Sequence, residues 1–441
     1  MKKVTTLILF GFFTLTTAFT QVEVPTTEVP IISAGAEYSM YLEKLINEGR
    51  GKEIEYNGSK SFINKAYGIE TITKIEGINF EEDAINGGYY HIPPDPIGAA
   101  GPSHVIAVTN TSIEWFAKAG VNEVSKRLGK DGSTHVGSFF ESLAPLTGTF
   151  DPKVIYDQYN GKFVVVSLEQ TTSPSQTSRI LAAVSQTSDP NDGWYFTSVN
   201  SKISISGNQT YADYPGLAVG TDAIYITANM FRFSTSAYAG GRLWIIGKTS
   251  FYSGGTASVT VHDHITLGSG YGATYQPAHM FGTPPSGVGT FLVLYSGLSG
   301  SGIEYLHIIR VDNPLGSVTF TGQLTSAGNI DNTTGSYLDA PQLGTTTRIN
   351  TNDRRTINAV WRNNSLWTTA TVVPTSGTDA GQVTAHWFKV NTSTLSSLII
   401  SDQGNVGGED IASGCYTFFP SIAVNSSGDA IIGFSASAPT I

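Results

Sequence analysis

Four aspartates stand beside prolines that recur along the chain. Asp95 precedes Pro96, Asp151 precedes Pro152, Asp213 lies two residues ahead of Pro215, and Asp339 two ahead of Pro341. Carboxylates at matching points of a repeat converge if the repeats are arranged about one axis. Such a set has three chemical uses. It can hold a hard cation, with calcium the natural choice and Asp151, Asp213 and Asp339 as its ligands. It can accept hydrogen bonds from sugar hydroxyls. Two of its members can serve as acid and base in glycoside cleavage if their separation suits. A plainer reading stands beside these: an aspartate near a proline often caps a turn through its own side chain. Tyr214, Gln276, His279 and Gln342 occupy the corresponding loops. The ligand-binding candidates are therefore Asp95, Asp151, Asp213, Tyr214, His279 and Asp339, with Asp157 at the far end of its strand.

Other chemistry is thinner. His262-Asp263-His264 puts two imidazoles on one face of a strand, which is two zinc ligands without a third. His104, His279 and Tyr214, with Arg232 or Arg242, contain the ingredients of a lyase, in which arginine neutralises an acid sugar and His or Tyr moves protons. Neither a Gly-x-Ser-x-Gly nor a His-Glu-x-x-His motif is present. Gly241 to Lys248 looks like a phosphate loop with one residue too many, and its intervening residues read as strand. The single cysteine, Cys415, rules out disulfides within the chain and reads as a small buried hydrophobe.

The elements that must position these residues form a repeat. Its unit is a proline, a short apolar strand, a polar turn and a second, more apolar strand. Asp151-Pro-Lys-Val-Ile-Tyr-Asp157 with Lys162–Ser167 is one copy, and Asp213-Tyr-Pro-Gly-Leu-Ala-Val219 with Ala223–Ala228 another. Weaker copies begin at Pro277, Pro341 and Pro420, and an earlier one near Pro96 or Pro102. From Pro152 to Pro341 the prolines recur roughly every sixty residues, room for four strands and their loops. Four antiparallel strands repeated radially make the blade of a β-propeller. The expected fold is therefore all-β, with six or seven four-stranded blades. The last unit has room for only two strands. Either an N-terminal strand such as Ile69–Ile75 completes it, or the chain is part of a longer protein. A helix is expected over Glu37–Glu48, within an N-terminal extension (21–90) that precedes a propeller over 91–441.

Met1-Lys2-Lys3, an apolar run to Phe19 and small residues at Ala18 and Thr20 have the layout of a secretory signal peptide over residues 1–20. No later stretch is long and apolar enough to span a bilayer. With 25 basic against 35 acidic residues and a net charge of −10, the sequence shows no basic patch for nucleic acid. Charged residues make up only 14%, which excludes coiled coils and highly charged disordered chains.

Several strings taken together resemble a family of secreted bacterial β-propeller proteins of largely uncharacterised activity. They are Pro93-Pro-Asp-Pro-Ile-Gly-Ala-Ala-Gly-Pro-Ser-His104, Asp151-Pro-Lys-Val-Ile-Tyr-Asp157, Ala183-Val-Ser-Gln-Thr-Ser-Asp-Pro190, Ala212-Asp-Tyr-Pro-Gly-Leu217 and Phe419-Pro-Ser-Ile-Ala-Val-Asn425. The resemblance implies a propeller and export, and it supplies no catalytic residues. The expected role is a secreted, monomeric propeller, extracellular or at the cell surface. It would bind a glycan or surface polymer at its channel mouth, with calcium as the cofactor the acidic set would take. Two alternatives stand: an extracellular carbohydrate-active enzyme, hydrolase or lyase, and a structural or adhesive module of a longer surface protein.

Overall fold

A computed structural model describes residues 5–6, 75–88, 91–172, 175–263, 274–295, 297–332 and 337–441. Its architecture follows from strands that are apolar on both faces. In Lys162–Thr171, Phe163 and Val165 pack with Ile106, Ile113 and Trp115 of the preceding sheet. The alternate residues Val164 and Val166 pack with Ile224, Ile226 and Trp244 of the following one. Side chains alternate across a strand, so a continuous apolar run belongs to a sheet covered on both sides.

Five sheets arise in this way, each built on a meander of antiparallel strands taken mainly in chain order, and His279–Phe281 adds a parallel strand to the fifth. Blade one is β1 (Ile97–Ala100), β2 (His104–Val108), β3 (Ser112–Ala117) and β4 (Val121–Arg127). Blade two is β5 (Phe150–Asp157), β6 (Lys162–Thr171), β7 (Thr177–Ser185) and β8 (Trp194–Asn200). Blade three has the short β9 (Ile203–Ile205) ahead of β10 (Asn208–Val219), β11 (Ala223–Arg232), β12 (Tyr238–Gly247) and β13 (Ser258–His262). Blade four opens with β14 (Gln276–Pro277) and continues through 288–294, 303–312 and 319–328. Blade five runs 358–362, 365–372, 384–391 and 399–406. The first strands of successive blades lie against one another in chain order, which is the arrangement of propeller blades about an axis.

The all-β propeller reading therefore stands, with a different count. Five blades are complete rather than six or seven, and a sixth unit is the hairpin Tyr416–Val424 with Ala430–Ser437. Pro341 does not open a blade. It lies in a separate two-stranded hairpin, Ala340–Gln342 with Thr345–Ile349, and the inner strand of blade five, Asn358–Arg362, carries no proline. The inserted hairpin lengthens the interval between the inner strands of blades four and five.

Hydroxyl and amide side chains pin blade to blade. Ala212 N donates to Ser178 Oγ (3.0 Å), Tyr295 N to Thr356 Oγ1 (2.9 Å) and Ala385 N to Thr417 Oγ1 (2.9 Å). The helix expected at Glu37–Glu48 and most of the strand expected at Ile69–Ile75 lie outside the described residues, as do the side chains of residues 1–20. A helix, α1 (Phe80–Gly87), does precede blade one, started by a capping box between Asn79 and Glu82. Its buried Asp83 accepts hydrogen bonds from Thr109 and Thr111, both at 2.6 Å, and so fastens it to the β2–β3 turn.

Candidate functional site

A proline cannot donate to a sheet ladder, so an inner strand that carries one must be irregular there. In β5 the register jumps between Phe150 and Lys153, leaving Asp151 and Pro152 opposite a single residue. The same bulge recurs at Tyr214-Pro215 and at Phe419-Pro420. In each case the residue before the proline is left-handed: φ is 48° at Asp151, 50° at Tyr214, 51° at Phe419 and 49° at Asp95. Few non-glycine residues adopt this conformation, and the surrounding sheet must hold it in place.

These corners bring three carboxyls together from three successive blades. Asn110 links the first two: its Nδ2 donates to Asp95 Oδ2 (3.2 Å) and its Oδ1 accepts from Asp151 N (2.5 Å). Tyr214 N links the next two, donating to Asp151 Oδ2 (2.8 Å) and Asp213 Oδ1 (2.9 Å). The Asp151 carboxyl thus lies next to that of Asp95 on one side and that of Asp213 on the other. Burial and then the Asp151 charge push Asp95 up to about 6. Burial and then the Asp213 charge push Asp151 up to about 7. Burial raises Asp213 as well, and the nearby Arg355 works against the rise.

Cations frame the set. Lys153 Nζ lies 5.3 Å from the centre of the Tyr214 ring, and the Arg355 guanidinium 4.7 Å from it. Burial lowers Lys153, while the charges of Asp151 and Asp95 favour its ammonium. Arg355 is clamped to Asp353 through Nε (2.8 Å) and Nη2 (2.6 Å). Burial opposes ionisation of Asp353, and the guanidinium outweighs it, holding the carboxyl below the usual range. Asp151 is only 8% exposed, whereas Asp95, Asp213 and Tyr214 are partly open to solvent. Burial therefore favours the protonated form at all three carboxyls, and Arg355 opposes it at Asp213.

Of the residues singled out in the sequence, Asp95, Asp151, Asp213 and Tyr214 meet here. Two do not. His279 sits at the opposite end of the inner strands, with Nε2 3.1 Å from Gln158 Oε1 and Nδ1 accepting from Val219 N, and burial lowers it to about 4. Asp339 lies on the inserted hairpin, where Asn350 Nδ2 donates to its Oδ1 (3.2 Å). With Asp339 elsewhere, the cation set of Asp151, Asp213 and Asp339 is not assembled. Among the described residues no three His, Cys, Asp or Glu side chains form a group fit for a metal. The two remaining carboxyls, Asp151 and Asp213, lie side by side, with the charge of Lys153 acting on Asp151.

Gln342 is on the same hairpin as Asp339, donating to Thr347 O. The lyase-like set is also dispersed: His104 pairs with Glu123 (3.1 Å) and Arg242 with Asp263 (3.1 Å). His262 Nε2 lies 2.8 Å from Thr260 Oγ1, and His264 falls outside the described residues. Burial pushes the Cys415 thiol up to about 11, as befits an inert buried side chain. Sequence reasoning missed Asn110, Lys153, Asp353 and Arg355. Lys153 carried a signal, being two residues beyond Asp151 on one strand; Arg355 carried none, because its loop has no proline.

No family model matches the chain, and no curated protein matches it. Solved structures similar to it include an exo-1,5-α-L-arabinanase from a bovine ruminal metagenomic library, 11% identical with a TM-score of 0.35 over 70% of this chain and 96% of that one. Another is an endo-arabinanase of family GH43 from Bacillus licheniformis, 14% identical with a TM-score of 0.30 over 76% and 96%. An exo-β-1,3-galactanase from Clostridium thermocellum is 10% identical, with a TM-score of 0.33 over 76% and 68%. Likenesses this slight carry no argument about what this chain does.

Proposed function

We propose that the channel mouth hydrolyses glycosidic bonds in an extracellular glycan. The observation behind this reading is the carboxyl row Asp95–Asp151–Asp213, built from three blades and joined through Asn110 and the Tyr214 N–H. Glycoside cleavage needs one carboxyl protonated and another ionised, and neighbouring environments that separate two carboxyls in this way mark the acid and the base. Asp95 is the general acid and gives its proton to the leaving oxygen as the C–O bond breaks. Asp213, beside Arg355, is the base and takes a proton from the water whose oxygen bonds to the sugar carbon. Asp151, buried between them, keeps its proton up to about pH 7 and so adds no charge of its own below it. The apolar leader at residues 1–20 supports an extracellular setting.

The test is a panel of 4-nitrophenyl glycosides and polysaccharides, scored for nitrophenol and for new reducing ends. Asp95→Asn and Asp213→Asn should each lower kcat/KM by roughly a hundredfold or more while the circular dichroism spectrum is kept. Activity should fall as pH rises through about 6, where Asp95 loses its proton. Absence of new ends from every glycan, or undiminished cleavage by both variants, removes the hydrolase. Retention of a polysaccharide without cleavage would favour a binding propeller instead.

A further inference from the structure

A left-handed residue ahead of a proline stands at four inner strands, in three of them at a bulge and in the first just ahead of the strand. Asp95 and Asp151 belong to the row described above, and Tyr214 links Asp151 to Asp213 through its backbone N–H. The fourth is Phe419, in the sixth unit, where Thr5–Thr6 pairs with the Ala430–Ser437 strand. Its register matches that of Asp151 and Tyr214: two residues of its strand, Phe419 and Pro420, oppose one between Gly433 and Ser435. A phenylalanine gains nothing locally from φ of 51°, because it has no side-chain polar atom to bond its own backbone. An aromatic ring normally moves toward a core, yet this one is 37% exposed while its neighbour Phe418 is 2% exposed. The two rings meet edge to face at 5.3 Å.

Packing ties this corner to the acidic row. Phe418 belongs to a cluster with Val373, Val383 and Tyr337. The Arg354 guanidinium lies 4.5 Å from the Tyr337 ring centre, and the next residue, Arg355, covers Tyr214. Tyr214 already has cations near its ring, whereas Phe419 keeps part of its ring open to solvent. Building on the glycan reading, we infer that Phe419 is an aromatic platform that binds a sugar ring of the polymer beside the acidic row. The apolar C–H face of the sugar would lie on the exposed ring. The ligand this selects is an oligosaccharide long enough to span both places, with a sugar unit that presents several axial hydrogens on one face.

The experiment is affinity electrophoresis of the whole chain through gels containing each polysaccharide of a panel, with KM measured on whichever is cleaved. Phe419→Ala should weaken retardation about tenfold and raise KM by a similar factor, with kcat within about twofold and an unchanged melting temperature. Phe419→Trp should bind at least as tightly, and its added indole emission should shift on titration with the retarding polysaccharide. If Phe419→Ala fails to fold, Phe419→Leu keeps the apolar bulk without a flat face and should lose binding equally. Unchanged retardation in the folded Ala or Leu variant overturns the assignment, and so does a wild-type chain that no polysaccharide retards. Binding that depends on Phe419 without cleavage upholds it while the hydrolase reading falls. Cleavage with KM indifferent to Phe419 does the reverse.

Discussion

Asp151 is held between two other carboxyls, and its behaviour follows from that position. The fold binds its proton more tightly than an unfolded chain would, with a pKa of about 7 against the ordinary 3.8. A raised carboxyl pKa makes the folded state prefer the protonated form, so stability should fall as pH rises from about 4 to 7. Each unit of such a difference is worth about 1.4 kcal/mol. Lys153 counters the effect, since its charge lowers both Asp95 and Asp151. Lys153→Met should therefore move both titrations to higher pH, read from carboxyl carbon resonances, and carry the falling limb of activity upward with them. Midpoints that stay in place or move down would show that the ammonium does not face these carboxyls.

At the scale of the element, the proline bulge sets the site, and its neighbours are cut to fit. Gly216 stands where Lys153 stands in the preceding blade, three residues after the last regular pair of its strand. A Cβ there would lie 2.5 Å from Pro277 Cδ, 2.5 Å from Thr227 Oγ1 and 2.9 Å from Gln276 Oε1. The inner strands of blades three and four approach too closely for any side chain. Gly216→Ala should cost about 1–3 kcal/mol through overpacking, seen as a lower melting temperature. Gly300→Ala, with nothing within 4 Å of its added carbon, should stay within about 0.5 kcal/mol. Equal melting of the two variants would contradict the close approach. The pairing of proline with aspartate was legible as a repeat. The left-handed turn was not, because a residue ahead of proline ordinarily takes an extended backbone.

Across the whole molecule, the two ends of the inner strands do different work. The end with Asp95, Asp151 and Asp213 gathers carboxyls that burial pushes toward their protonated form. The other is locked by a buried ion pair between blades, Lys248 Nζ to Asp157 Oδ2 at 2.6 Å. Lys248 also donates to Gly220 O, and Tyr252 Oη donates to Asp157 Oδ2 (2.8 Å). Removing one partner strands a buried charge, so Lys248→Met should cost on the order of 3 kcal/mol in urea unfolding. The acidic row lies at the other end, so kcat should hold within about twofold. A large loss of kcat with little loss of stability would place Lys248 in the chemistry instead.

The sequence alone determined the all-β class, the recurring unit and three of the carboxyls, because strand alternation, turn residues and proline are local and leave a periodic mark. It placed Pro341 in the ring only because an inserted hairpin happens to fall on the period, and it gave the metal set Asp339 for the same reason. Blade number, the removal of His279 to the far end and the arrival of Arg355 over Tyr214 were decided by tertiary structure. Those contacts join segments far apart in the chain, and no local pattern records which strands will share an axis.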